Sequence, residues 1–245
     1  MNYGIEEVQK WAATVEGWFS DRQGRFLYTK ARQCSGKGVI VEIGSWKGKS
    51  TVWLGSGSLA GNRVPVYAVD PHNCWYSEDG GLGRGKELTT LREFEENMKR
   101  TGVSGVVRPI VATSEEAIKN WKDPIELLLI DGDHSYDAVK KDIDLWLPYV
   151  IDGGIIAFDD SFDESIKKVL HEKIYSNPFL MDHGIIEVLV YATKSSKALG
   201  RLSRWRAYYL LSLDGISRFL RRFPWPLRNT LRKIGTKALF YLREL

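Results

Sequence analysis

Asp131-Gly132-Asp133-His134-Ser135 follow the apolar run Ile125-Glu126-Leu127-Leu128-Leu129-Ile130, and a second apolar run, Ile155-Ile156-Ala157-Phe158, ends in Asp159-Asp160. Carboxylates and an imidazole at the carboxyl ends of adjacent parallel strands converge at one edge of a sheet, where open α/β folds bind ligands. Acids are costly to bring near a core unless a partner or a metal offsets their desolvation. The constellation reads as a working site.

Glu42-Ile43-Gly44-Ser45-Trp46-Lys47-Gly48-Lys49-Ser50-Thr51 joins an earlier strand to a helix. A P-loop needs four residues between its first glycine and Gly-Lys-Ser/Thr, and here three separate Gly44 from Gly48. The dinucleotide fingerprint also fails, because Trp46 stands where its second glycine belongs. What remains is acid-x-Gly-x-x-x-Gly, whose glycines allow close backbone approach and whose helix start offers amides to an anionic group. Asp70, ending the next strand, suits a ribose diol, and acidic surroundings suit a cationic centre. A carboxylate, a ribose and a cationic centre together describe S-adenosylmethionine. Taken singly, Gly44 and Gly48 also read as a tight turn and Asp70 as a helix cap.

These segments, with Ala68-Val69-Asp70, Ile130 to Tyr136 and Gly153 to Asp160, resemble class I S-adenosylmethionine-dependent methyltransferases. The resemblance runs from Val39 to Thr193 and is closest to the group of macrocin-type sugar O-methyltransferases and cephalosporin-hydroxylase-like proteins. It implies a Rossmann-like, doubly wound α/β fold whose mainly parallel seven-stranded sheet has one reversed strand. It implies cofactor contacts at Glu42, Gly44, Ser45, Gly48, Ser50, Asp70, Ser114 and Asp131. Several such proteins bind a divalent metal at the positions of Asp131, Asp159 and Asp160, and magnesium is the first choice for an all-oxygen set.

Methyl transfer from a sulfonium requires alignment and exclusion of water more than covalent help. The acceptor hydroxyl must also lose a proton. His134 is a candidate base because its ordinary pKa lies near neutrality; Asp133 can orient it or act itself. The competing reading makes His134 and Asp159-Asp160 helix caps. The acceptor expected is a sugar-containing or other small metabolite. Two alternatives remain: a P-loop-like phosphotransferase or ATPase, with Asp131 as its acid, and a non-catalytic cofactor-binding scaffold.

The elements that must position these residues follow from periodicity. Helices are expected over Ile5 to Ala13, around Phe26 to Cys34, after the glycine turn through Val52, Leu54 and Leu59, over Glu87 to Arg100, and over Ala138 to Tyr149. Strands are expected at Val39 to Ile43, Val64 to Val69, Val106 to Val111, Glu126 to Ile130, Gly154 to Phe158 and Ile185 to Ala192, the last with a partner near Phe179. The Gly-rich stretch from Pro71 to Gly85 reads as a lid or a surface excursion, with Trp75 and Tyr136 as candidate stacking residues.

The 245 residues suit one domain with an extension. Two cysteines, Cys34 and Cys74, make no zinc site and are compatible with a reducing compartment. No signal pattern opens the chain and no apolar run is long enough to span a bilayer, so a cytoplasmic location is expected. Residues 1–194 hold 23 Lys/Arg against 29 Asp/Glu, whereas 195–245 hold 12 Lys/Arg against two acids, so an acidic body carries a basic tail. In that tail Leu202, Trp205, Tyr209, Leu213, Ile216 and Leu220, then Leu227, Leu231, Ile234, Ala238 and Leu242, recur at helical spacing among arginines and lysines. Two basic amphipathic helices over 200–245 suit an anionic membrane face, including the inner face of a cell membrane, or packing on protein as a homo-oligomer. No nucleic-acid module accompanies the charge.

Overall fold

The computed structural model describes residues 3–76, 82–84, 90–161 and 164–198. The chain divides after Ala198, and the described residues belong to the unit Met1–Ala198. The expected tail helices, and the part of the expected 87–100 helix before Thr90, lie outside the described residues, as does the side chain of Trp75.

Helices α1 (Ile5–Ala13) and α2 (Asp21–Gln33) precede strand β1 (Val39–Ile43). Ser20 and Gln23 form a reciprocal capping box, which starts α2 several residues before its apolar periodicity becomes visible. Then come α3 (Lys49–Ala60), β2 (Val66–Val69), a short hairpin of β3 (Cys74–Tyr76) and β4 (Leu82–Arg84), and α4 (Leu91–Arg100). Strand β5 (Val107–Ile110), the single turn α5 (Ser114–Ala117) and β6 (Ile125–Ile130) follow. Helix α6 (Tyr136–Trp146) starts earlier than its apolar face indicates, because the Ser135 hydroxyl accepts the Ala138 amide. It tightens into a 3-10 turn at Pro148 before β7 (Val150–Phe158). Helix α7 (Glu164–Val169) runs into a π-helical segment through Tyr175. Strands β8 (Leu180–Ile186) and β9 (Leu189–Lys194) close the sheet.

The expected strand from Ile185 to Ala192 is therefore two strands. Ile186 pairs with Leu189 across a two-residue turn, and Glu187 takes a positive φ of 57° there. A glutamate carries no turn signature, so the apolar pattern on both sides read as continuous.

The main sheet runs β5-β2-β1-β6-β7-β9-β8, with β9 antiparallel to both of its neighbours. It is the mainly parallel, doubly wound sheet with one reversed strand. Alternation along β1 divides the core: Ile40 packs with Leu27, Trp53 and Phe94, whereas Val41 and Ile43 pack with Val139, Ile143 and Trp146. Helix α3 is buried on nearly every face, and a Cβ on Gly57 would lie 2.3 Å from the Tyr28 carbonyl oxygen of α2. Close helix contact here needs a residue without a side chain.

Candidate active site

Hydrogen bonds continue the sheet one residue past each central strand. Gly44 N–H donates to Val69 O at 2.9 Å, Asp131 N–H to Ile43 O at 2.8 Å, Asp159 N–H to Ile130 O at 3.1 Å and Asp70 N–H to Ile110 O at 3.1 Å. Gly44, Asp70, Asp131 and Asp159 thus stand side by side at the carboxyl edge. Gly44 has φ 85°, and a Cβ there would fall 2.3 Å from the Asp131 carbonyl oxygen. Only glycine allows the turn and the β6 tip to touch.

The glycine turn is held from below and beside. Gly48 N–H donates to Ser45 O at 2.7 Å, Gly48 is a left-handed N-cap of α3, and Trp46 between them has φ 44°. A bulky residue at positive φ is strained, and surrounding contacts hold it there. Trp46 N–H donates to Asp70 Oδ2 at 2.7 Å, and its ring stacks on Trp18 with centroids 4.8 Å apart. Lys49 Nζ binds the Gly17 carbonyl at 2.9 Å and Lys47 Nζ binds Glu16 at 2.8 Å, so the α1–α2 linker is clamped to the turn. The other Asp70 oxygen accepts His72 N–H at 2.7 Å.

Glu42 is completely buried under this turn. Its Oε2 accepts the Thr51 hydroxyl at 2.5 Å, while Oε1 has no hydrogen-bond partner. Burial pushes its pKa up to about 7 and Asp70 adds to the rise, against the Ser50 and Thr51 hydroxyls, which favour the ionised form. Ser45 Oγ is likewise buried and unpartnered. An unbonded buried carboxylate oxygen is expensive, and Glu42 and Ser45 could receive a ligand that brings hydrogen-bond donors and positive charge.

Asp131 lies well above the usual carboxylate range, through burial first and then through Asp159, Glu42, Asp160 and Asp70. His134 bridges two acids: Nδ1 lies 3.1 Å from Asp160 Oδ2 and Nε2 lies 4.0 Å from Asp131 Oδ1. Because Ser135 performs the capping of α6, the imidazole is not spent on that task. Ligand atoms of Asp131, His134 and Asp160 all lie within 4.8 Å of one another. The expected three-acid group is thus gathered differently. Asp159 is tied to Gln23, whose Nε2 donates to its Oδ1 at 2.5 Å, and burial with Asp160 pushes its pKa up to about 7. Asp133 is exposed, and its Oδ1 accepts the Ser135 amide at 2.9 Å.

Ser114 is engaged elsewhere. Its hydroxyl donates to Asp142 Oδ1 at 2.5 Å and accepts from Trp146 Nε1 at 2.8 Å, and Asp142 in turn sits against Gly132. Ser50 lies on α3 beside Glu42, where its hydroxyl favours the ionised carboxylate. Three residues join the site without having been singled out in the sequence. Gln23 was detectable through its capping-box spacing with Ser20; His72 and Asp142 carried no local signal.

A doubly wound sheet of this strand order, with a glycine turn and acids at its central tips, is a Rossmann-like architecture. Residues 41–161 match the family described as a methyltransferase domain, and this match supports a class I S-adenosylmethionine-dependent methyltransferase. A curated relative, an uncharacterised protein of Acanthamoeba polyphaga mimivirus, is 29% identical over 126 residues, 51% of this chain and 52% of that protein. The chain thus spans about half the length of the curated relative it matches. Among solved structures it is similar in fold to the S-adenosylhomocysteine-bound methyltransferase PaMTH1 of Podospora anserina (TM-score 0.57, 18% identity, 78% of this chain and 88% of that one). It is also similar to the O-methyltransferase NovP (TM-score 0.60, 18% identity, 78% and 88%) and to a Corynebacterium glutamicum protein (TM-score 0.60, 16% identity, 82% and 93%).

Proposed function

We propose that this methyltransferase acts on a hydroxyl of a small-molecule acceptor, sugar-containing or another secondary metabolite, with a divalent cation, magnesium first, at the strand tips. The observation that carries this reading is the crowding of Glu42, Asp70, Asp131, Asp159 and Asp160 at one edge. Among the described residues, the ion pairs offered to them come from His72 and His134. A cationic ligand is the natural complement of such an edge.

S-adenosylmethionine, when bound, supplies a methyl group on a positive sulfur with a neutral thioether as leaving group. The orphaned Glu42 Oε1 and Ser45 Oγ fit its amino group and hydroxyls. Each Asp70 oxygen already accepts one amide, and its remaining lone pairs suit two ribose hydroxyls. Gly44 lets the turn lie against the β6 tip, Gly48 lets α3 start against Phe94 and Met98, and Lys47 and Lys49 tie the α1–α2 linker to the turn.

Asp131 and Asp160, with His134 beside them, would hold the cation through carboxylate oxygens, and it would lower the pKa of the acceptor hydroxyl. Gln23 fixes Asp159 beside them. With its Nδ1 proton shared with Asp160, His134 presents Nε2 as a base toward the Asp131 side. Asp133 is the base when both imidazole nitrogens are engaged.

Calorimetry with S-adenosylmethionine and S-adenosylhomocysteine, then methyl transfer to a panel of hydroxylated acceptors with and without chelator, tests the reading. Binding with turnover that chelation lowers and magnesium restores is expected. Saturable ATP binding without S-adenosylmethionine binding would overturn the reaction class. Cofactor binding without turnover on any acceptor would favour the scaffold reading instead.

A further inference from the structure

Beside the reaction residues, lysines interleave with Glu172, Asp137 and Asp144 around Tyr136. Tyr136 opens α6 two residues after His134, and two ammonium groups gather on its ring: Lys168 Nζ of α7 lies 4.5 Å from the ring centroid and Lys140 Nζ of α6 lies 5.6 Å from it. Neighbouring lysines are neutralised, Lys141 by Glu115 and Lys173 by Asp144 at 2.6 Å. Among the described residues no carboxylate makes an ion pair with Lys140 or Lys168. Glu172 stands nearby, but its Oε2 accepts the Tyr136 hydroxyl at 2.5 Å, which ties α6 to the π-helical segment after α7 and fixes the ring.

Two like charges on one ring repel each other. A cation–π contact at an exposed site returns only roughly 0.5–1 kcal/mol, so the pairing gains most when a shared counter-anion arrives. We propose that Lys140 and Lys168, gathered on the Tyr136 ring, form a subsite for a phosphate group carried by the acceptor. This rests on the hydroxyl-methylating reading above and narrows its substrate class. Tyr136 follows His134 by two residues, at most about 7 Å of chain, so the subsite adjoins the reaction residues. A dianion matches two point charges in a way that a neutral sugar does not.

Acetylation of surface lysines in the full-length protein, followed by mass spectrometry, reads the subsite directly. Pyrophosphate, compared with chloride at equal ionic strength, is expected to slow labelling of Lys140 and Lys168 roughly five-fold relative to Lys10. The K140Q/K168Q variant is expected to lose about the same factor in pyrophosphate affinity while binding S-adenosylmethionine as before. Protection by soluble pyrophosphate assigns a soluble phosphate ester; protection only by vesicles containing phosphatidic acid assigns a lipid headgroup. Equal labelling of all three lysines under both additions, or unchanged anion affinity in the variant, overturns the subsite. Failure of S-adenosylmethionine to bind the native protein strikes the reaction class and is read in a separate titration.

Discussion

Glu42 shows how a single residue is kept costly for a purpose. A glutamate on the buried face of a central strand, with one oxygen bonded to Thr51 and the other to nothing, costs stability until a donor arrives. Replacing it by Gln removes the charge but keeps the shape. Glu42→Gln is expected to leave the melting temperature of the free protein equal or higher at pH 8, and to weaken S-adenosylmethionine at least tenfold by calorimetry. Undiminished affinity would remove Glu42 from the cofactor site. Gln23 acts through another group: it holds Asp159 from across the sheet edge. Gln23→Leu is expected to lower the apparent affinity for magnesium in turnover assays with little change in the KM for S-adenosylmethionine. Equal changes in both would mark a merely structural residue.

At the scale of elements, the α2–α3 contact sets helix propensity against packing. Alanine is preferred over glycine in a helix by about 1 kcal/mol. A Cβ at Gly57, however, meets the rigid Tyr28 backbone at 2.3 Å, and overpacking of that kind costs roughly 1–3 kcal/mol. Packing wins, so Gly57→Ala is expected to destabilise, with urea unfolding as the measurement. A gain in stability would show that the two helices can part. The Ser20 capping box is a second such element: it starts α2, and its Gln23 partner reaches the site. Ser20→Ala is therefore expected to cost about 1 kcal/mol of stability and to reduce activity as well.

For the molecule as a whole, the acidic edge couples folding to pH. Burial raises Glu42 and Asp159 to about 7 in the folded state, against roughly 4 when unfolded. The fold therefore holds protons that the unfolded chain has released. Their stabilising contribution is complete below about pH 4 and is lost as pH rises through about 7. Glu126 runs the other way. Partial burial would raise it, but the amides of Ser35, Gly38 and Gly36 hold it below the usual range, so its contribution is lost on acidification. The free protein is thus expected to melt at lower temperature at pH 8 than at pH 5.5, and S-adenosylmethionine to raise the melting point more at pH 8. A flat profile by scanning calorimetry would contradict the crowded-acid account. Among the described residues no helix is long and apolar enough to cross a membrane. For residues 200–245 the charge predicts flotation with anionic vesicles, and a form ending at Ala198 floating equally well would end that idea.

Strands that are buried on both faces are continuous apolar runs, so β1, β6 and the end of β7 stood out from local composition, as did the acids that end them. Gly44, Asp70 and Asp131 were legible for the same reason, because a strand tip in a parallel sheet has a fixed address. Tertiary structure alone decided which side chains meet. It bonded Gln23 to Asp159 over 136 positions of chain, put His134 between Asp131 and Asp160, and committed Ser114 to Asp142 and Trp146. It also split the last apolar stretch into β8 and β9 at Glu187, whose carboxylate binds Ser20 at the start of α2. Local sequence carries periodicity and turn chemistry. Pairings between distant side chains depend on how the helices cover the sheet, and no window along the chain contains that information.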